Sequence, residues 1–181
     1  MADHIVEMHS VSRITIDAIG SPGQRLFLLQ ASQGNQTVTL KIEKLQAQVL
    51  ATGIEQFLEE LNERFPRPIS KMEEPLGSEL ILQEPMEILF SVGQMGLGYD
   101  QGGDELVLVA QELAEPEESD RAWVARFWAT RGQMRALSQH IKQVIAQGRP
   151  ICPLCNQPID PDGHFCPKSN GHDRVLRPDA P

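Results

Sequence analysis

Three cysteines are the residues of this chain best able to do chemistry, and all of them stand near its C-terminal end. Cys152-Pro153-Leu154-Cys155 is a Cys-x-x-Cys knuckle that aims two sulfurs at one point. Downstream, Asp160-Pro161-Asp162-Gly163 carries proline second and glycine fourth, which suits a type I turn and lets the chain double back. His164 and Cys166 then face the knuckle, and residues two apart on an extended segment point to the same side. Three sulfurs and one nitrogen converge with no obvious open position. That is the pattern of a structural tetrahedral zinc site, with Zn–S ~2.3 Å and Zn–N ~2.0–2.1 Å. His172 is the alternative fourth ligand, because Cys152, Cys155, Cys166 and His172 would also close a Cys₃His set. His164 is preferred, since it lies inside the turn-defined hairpin. An element this small has almost no apolar core, so zinc is expected to fold it with on the order of 10 kcal/mol of binding free energy. A redox dithiol would need a strand-to-helix context that does not surround Cys152.

The charge of the chain divides at the same place. Of 181 residues, 16 are Lys or Arg and 25 are Asp or Glu, a formal net charge of -9. From Gly148 onward Arg149, Lys168, Arg174 and Arg177 balance Asp160, Asp162, Asp173 and Asp179, so the body before it holds the whole excess. An acidic body repels phosphate backbones over roughly 10 Å and argues against a broad nucleic-acid or anionic-membrane surface. No leader-like start and no run of ~20 apolar residues occurs, so neither secretion nor a membrane span is expected. Clustered, odd-numbered cysteines in such a chain favour metal over disulfides, and the cytoplasm is the expected compartment.

The elements that must carry this site show an internal repetition. Residues 12–18 alternate apolar with polar, Leu26 to Leu29 is a short apolar run, and Val38, Leu40 and Ile42 alternate again across a Gln33-Gly34-Asn35 hairpin tip. Leu45, Val49, Leu50, Ile54, Phe57, Leu58 and Leu61 then fall at helical spacing until Pro66 and Pro68. After a linker over residues 66–85 the order recurs. Ile88 to Met95 and Leu106 to Val109 read as strands about an Asp100-to-Asp104 turn, Ala122 to Ala129 as a third beyond an acidic loop at Glu115 to Asp120. Thr130 and Gln133 form a capping box opening a helix on Met134, Leu137, Ile141, Val144 and Ile145, which Gly148 and Pro150 end. Arg25 to Leu29 echoes Glu105 to Val109 at an offset of 80, and Lys41 and Gln48 echo Arg126 and Gln133 at 85. The expected fold is α+β: duplicated strand-strand-strand-helix units (about 10–65 and 86–147) sharing one core in a domain over residues 1–148, followed by a zinc-ribbon-like element over 149–181.

Other motifs read as structural. Gly96-Leu97-Gly98 does not open a helix, so it fails the dinucleotide-binding context and belongs to hairpin chemistry. His4, His9 and His140 have no neighbouring nucleophile and read as surface or capping residues. Trp123 and Phe127 share parity on one strand while Trp128 takes the other face. Core packing outweighs a base-stacking platform there, because Arg121, Arg126 and Arg131 are the only basic cluster evident in the body.

At Cys152-Pro-Leu-Cys155, at Pro158-Ile-Asp-Pro-Asp-Gly-His164-Phe-Cys166-Pro-Lys and at Asn170-Gly171, the chain resembles a bacterial family known as domain of unknown function 3090. The likeness extends through Phe27-Leu28-Leu29-Gln30 and Gly93-Gln94-Met95-Gly96-Leu97-Gly98, hence over nearly the whole chain. The resemblance implies a repeat protein with a Gly-His-x-Cys-Pro tail, which favours His164, and a gene neighbourhood holding histidine-phosphatase-like and lipid-kinase-like proteins. It implies no catalytic residue. The expected function is a non-enzymatic, zinc-binding adaptor or binding module with a protein partner. An enzyme subunit working with the phosphatase-like protein is the second expectation and requires Lys41, Gln48, Arg126 and Gln133 to line a pocket between the units. A nucleic-acid-binding zinc ribbon is the third.

Overall fold

The computed structural model describes residues 4–160 and 162–169 and the backbone of a short strand at 174–175. The chain runs β1 (Ile5–Met8), β2 (Arg13–Ile19), β3 (Leu26–Gln33), β4 (Gln36–Ile42) and α1 (Lys44–Arg64). It continues through two short 3₁₀ turns to β5 (Ile88–Asp100), β6 (Glu105–Glu112), β7 (Val124–Thr130), α2 (Arg131–Ala146), β8 (His164–Phe165) and β9 (Arg174–Val175). The expected α+β order is therefore present. Strand-strand-strand-helix occurs twice, as β2-β3-β4-α1 and β5-β6-β7-α2, and all of these strands join one seven-stranded sheet of order β1-β7-β6-β5-β4-β3-β2.

Two parallel pairings weld the halves. β4 runs parallel to the start of β5, with Leu40 opposite Phe90, and β1 runs parallel to β7, with Met8 opposite Phe127. Strand β1 was not foreseen, because four residues beside an unremarkable N-terminus carry no legible period. β1 and β2 occupy opposite edges of the sheet yet are separated only by residues 9–12. That connection reaches about 18 Å at full extension, whereas the edges of a flat sheet of this size would stand about 29 Å apart. The sheet must curl until its edges nearly meet. Ser10 makes the bend at φ 52°, and the Val11 N–H donates to the Trp128 carbonyl at 2.9 Å while the Ser12 N–H donates to the Ser32 carbonyl at 2.9 Å.

Inside the curl lies one apolar core. Ala47, Leu50, Ala51, Ile54 and Leu61 of α1 and Met134, Leu137, Ile141 and Val144 of α2 pack against Ile14, Ile16, Phe27, Leu29, Leu40, Leu106, Leu108 and Phe127. Leu45 and Val49, expected on the buried face of α1, are exposed instead. They belong to the right period but to the stripe's solvent edge.

The element order recurs, but the residue matching between the halves differs from expectation. The N-caps Glu43 and Thr130 and the third helical residues Gln46 and Gln133 correspond at an offset of 87, which also matches Ala47 with Met134, Leu50 with Leu137 and Ile54 with Ile141. In the central strands Phe27, Leu29 and Ala31 correspond to Leu106, Leu108 and Ala110 at 79, all inward. The offset of 80 is one residue out, and a one-residue slip exchanges the two faces of a strand. Likewise Gln46, and not Gln48, is the counterpart of Gln133.

These two glutamines lock the halves reciprocally. Gln46 Oε1 accepts from the Glu43 N–H at 2.8 Å while its Nε2 donates to the Val92 carbonyl of β5 at 3.0 Å. Gln133 Oε1 accepts from the Thr130 N–H at 2.9 Å while its Nε2 donates to the Val11 carbonyl at 2.8 Å. Each helix start is thus tied to the strand kink of the other half. At the β5 kink the pairing with β6 shifts register, and a Cβ on Gly93 would stand 2.9 Å from the Leu113 Cα, so that close approach requires glycine.

The outer face of β2, β3 and β4 is polar and buried, because the linker folds across it. Arg13 Nη2 donates to Gln30 Oε1 at 2.5 Å and to Ser32 Oγ at 3.1 Å, and Nη1 donates to the Ile81 carbonyl at 3.0 Å. Gln30 Nε2 donates to the Gln83 carbonyl at 2.8 Å, and Thr15 Oγ1 donates to the Leu80 carbonyl. The linker therefore completes a layer.

Its first part is held by an ionic hub. Asp104, at φ 52° in the β5–β6 turn, accepts from Tyr99 Oη at 2.6 Å and Arg131 Nη2 at 2.7 Å, and also pairs with Arg67 Nε. Arg67 in turn donates to Glu73 at 2.6 and 3.0 Å. The Arg131 side chain is 3% exposed, so its charge depends on Asp104 for compensation. Burial opposes ionisation of Asp104, but the hydrogen bonds from Tyr99, Arg131 and Arg67 outweigh it and hold the carboxyl below its usual value. The Arg67 hydrogen bonds hold Glu73 below its usual value despite burial. With both folded values depressed, the stability these groups contribute is complete above the ordinary carboxylate range and is lost as pH falls through the folded values. Asp104→Asn is expected to cost about 2 kcal/mol at neutral pH, a buried-pair loss discounted for partial exposure. Urea unfolding followed against pH should show a shallower loss on the acid side in that variant than in the parent, and an unchanged acid slope would remove the hub from the account.

Candidate metal centre

The turns around the cysteines are set by the local chain. Asn156 takes φ 61°, its N–H donates to the Cys152 carbonyl at 2.9 Å, and the Cys152 N–H donates to the Gln157 carbonyl at 2.8 Å. These bonds close the first knuckle. An isolated bridge between Ile151 and Pro158 continues it as a minimal hairpin. The expected turn follows, with the Gly163 N–H donating to the Asp160 carbonyl at 2.8 Å and Gly163 at φ 90°. A second turn after Cys166 is made by the Ser169 N–H, 3.2 Å from the Cys166 carbonyl, with Ser169 Oγ on the same oxygen at 3.0 Å.

These turns bring Cys152, Cys155, His164 and Cys166 together. One ligand atom from each lies within 4.8 Å of all the others. Cys152 Sγ and Cys166 Sγ are 3.8 Å apart, and Cys155 Sγ is 3.9 Å from His164 Nε2. An S–S separation of 3.8 Å is far beyond the ~2.05 Å of a disulfide. It equals the edge of a tetrahedron of about 2.3 Å metal–sulfur bonds. The donor set therefore fits a metal ion. His172 lies outside the described residues.

The electrostatics divide the thiols. Burial works against ionisation of Cys166, yet the N–H groups of Lys168 and Ser169 and the neighbouring thiols bring it below the usual thiol value. Burial and the thiols of Cys166 and Cys152 raise Cys155 against the Gln157 N–H. Backbone N–H groups aimed at sulfur favour the thiolate, the form that ligates metal. Around the four residues the only buried aliphatic side chain is Ile159, among the described residues, so the element has scarcely any core of its own. An ion pair from Arg149 to Asp160 at 2.8 Å joins it to the connection from α2.

The family match spans this geometry. A model described as "Protein of unknown function (DUF3090)" matches residues 6–166. The chain belongs to that family. The matched span includes all four clustered residues and ends before His172. No curated protein and no solved structure matches the chain.

The remaining sequence candidates are dispersed. Arg126 pairs with Glu7 at 2.7 Å on an exposed edge, Gln133 serves the α2 start, and Gln48 lies on α1 outside the cavity that Lys41 lines. The four do not share a pocket between the units. Gly96-Leu97-Gly98 lies within β5. His4 packs edge-on to Trp123 at 4.9 Å and His9 stacks on Trp128 at 3.8 Å, while Phe127 is fully buried. His140 is not a plain surface residue: its Nε2 is buried without a hydrogen bond and lies 3.7 Å from Asp17. Among the described residues no helix is long and apolar enough to cross a membrane. The Asp104 hub was missed because its members are scattered from residue 67 to 131, and only its turn left a sequence signal.

Replacing Cys152 or Cys166 by Ser is expected to abolish stoichiometric metal in the purified protein. His164→Ala should do the same and His172→Ala should not, as read by elemental analysis. Amide exchange at Cys152 and Ile159 should accelerate in the three metal-deficient variants while β3 and β6 stay protected. Full metal content in His164→Ala would displace that histidine from the ligand set.

Proposed function

We propose that this chain is a cytoplasmic, non-enzymatic binding or adaptor module in which Cys152, Cys155, His164 and Cys166 hold a structural Zn²⁺ and the element so folded docks a protein partner. The convergence of four soft and borderline donor atoms within 4.8 Å carries the zinc assignment. A bound zinc cross-links the two turns, and four protein donors leave it no vacant position for substrate. The docking role is supported by the element's surface. Ile151, Leu154 and Phe165 are 52%, 52% and 66% exposed, although apolar burial is what an element of this size most lacks.

The enzyme-subunit reading is weakened by the dispersal of Lys41, Gln48, Arg126 and Gln133. A nucleic-acid ribbon is disfavoured by the formal charge of -9. The adaptor reading is tested by in-cell cross-linking followed by capture of the full chain. Leu154→Asp with Phe165→Asp should eliminate the principal partner while metal content and melting temperature stay at parental values. Loss of metal through Cys166→Ser should eliminate the same partner. Capture that survives both changes would refute docking through the metal element.

A further inference from the structure

Where the body meets the metal element, a cavity of about 490 Å³ is lined by Arg25, Lys41, Lys44 and Arg149, with Glu43 as the only acid among its lining residues. Four of the chain's 16 basic residues thus converge in one cleft of a protein whose formal charge is -9. Five cations elsewhere are matched: Arg67 by Glu73 and Asp104, Arg126 by Glu7, Arg131 by Asp104, Arg135 by Glu74 and Lys142 by Glu55, while the exposed Arg64, Lys71 and Arg121 stand outside the cleft without an acidic partner among the described residues. In the cleft, Lys41 and Lys44 have no hydrogen-bond or ion-pair partner among the described residues. An excess of like charge gathered in one cleft, with only Glu43 and Asp160 to offset it, is an electrostatic cost that folding alone does not explain.

The two arginines are also held in place. Arg25 Nη1 donates to the Val144 carbonyl at the end of α2 at 2.7 Å, and its Cζ lies 5.0 Å from the centre of the Phe27 ring. This leaves Nη2 directed at Gly148, where a Cβ would stand 2.9 Å from it and 3.6 Å from Lys44 Nζ. Two positive groups therefore converge on one residue without a side chain. Arg149 lies against Gly23 and keeps only Asp160 as an acidic partner.

We propose that this cleft binds a phosphorylated small molecule of about nucleotide size. A guanidinium and ammonium groups arranged about one space are the donors that recognise phosphoryl oxygens. The cavity lies within the ~300–1,000 Å³ range of small-molecule sites and exceeds the needs of a bare anion. Leu26, beside the nearly fully buried Phe27 and Ile42, offers limited apolar contact for the organic part of the ligand. A small molecule is favoured over a nucleic-acid strand because the cations stop at the cleft and the acidic surroundings repel a polyanion beyond it. This inference goes beyond the adaptor reading and does not depend on it, since the exposed Leu154 and Phe165 lie outside the cleft lining.

The test is calorimetric titration of the full-length, metal-replete protein with ADP and, separately, with inorganic phosphate, at an ionic strength of roughly 0.15 M. Saturable 1:1 binding of either probe is expected. A double variant, Lys41→Gln with Lys44→Gln, should weaken that binding by about tenfold or more, since one lost charged contact commonly has that effect. The ligand-free double variant should melt no lower than the parent, because it removes mutual repulsion; a lowered melting point would mark the lysines as structural and count against the site. Absence of saturable binding by both probes, or affinity unchanged in the double variant, overturns the proposal. Tighter binding of a single-stranded DNA oligonucleotide than of ADP, lost in the same variant, overturns it in favour of a polymer surface.

Discussion

The fold depends on each half completing the other. Neither three-stranded unit has a finished sheet: β4 needs the first residues of β5, and β7 needs β1. The two parallel seams curl the sheet, and the curl supplies the enclosed face into which both helices set their apolar stripes. Gln46 and Gln133 make the dependence mutual at atomic scale, since each amide caps its own helix with its oxygen and holds the opposite strand kink with its nitrogen. A single amide thereby couples helix initiation to sheet closure.

Legibility in the sequence followed the range of the interactions. The metal turns are decided within fifteen residues, so Cys152, Cys155 and Cys166 could be read directly from their spacing, which favoured His164 as the fourth member while leaving His172 as an alternative. The order of strands and helices was also legible, because period is a local property. Register was not: whether Leu26 or Phe27 corresponds to Leu106 is decided by pairing across strands, and the apolar run at Leu26 to Leu29 fits either choice. The polar layer of Arg13, Gln30 and Thr15 reads in sequence as the solvent side of ordinary strands. Its burial comes from the linker carbonyls of Leu80, Ile81 and Gln83, which no pattern in the linker announces. The cation cleft was equally hidden, since Arg25, Lys41, Lys44 and Arg149 are spread over two elements and two connections.

Charge is therefore organised in three different ways in one chain. The hub at Asp104 neutralises cations internally and fixes the linker. The rest of the chain keeps an acidic excess that repels like-charged partners. The cleft at Gly148 gathers an excess of cations, with Lys41 and Lys44 unpaired among the described residues, at the junction with the cysteine-bearing element. Division of the chain by net charge alone conceals this, because Arg25, Lys41 and Lys44 belong by sequence to the acidic body and act with Arg149 from beyond it.

The pairing of β1 with β7 bears on how the molecule comes into being. During synthesis, residues 5–8 are made well over a hundred residues before their partners at residues 124–127. Until then the growing chain can form the β2-β3-β4 meander and α1, but the apolar stripe of α1 has only half of its enclosure. The first half must wait, partly unclad, for most of the second, a period in which nascent chains on neighbouring ribosomes could trade strands as readily as one chain closes on itself.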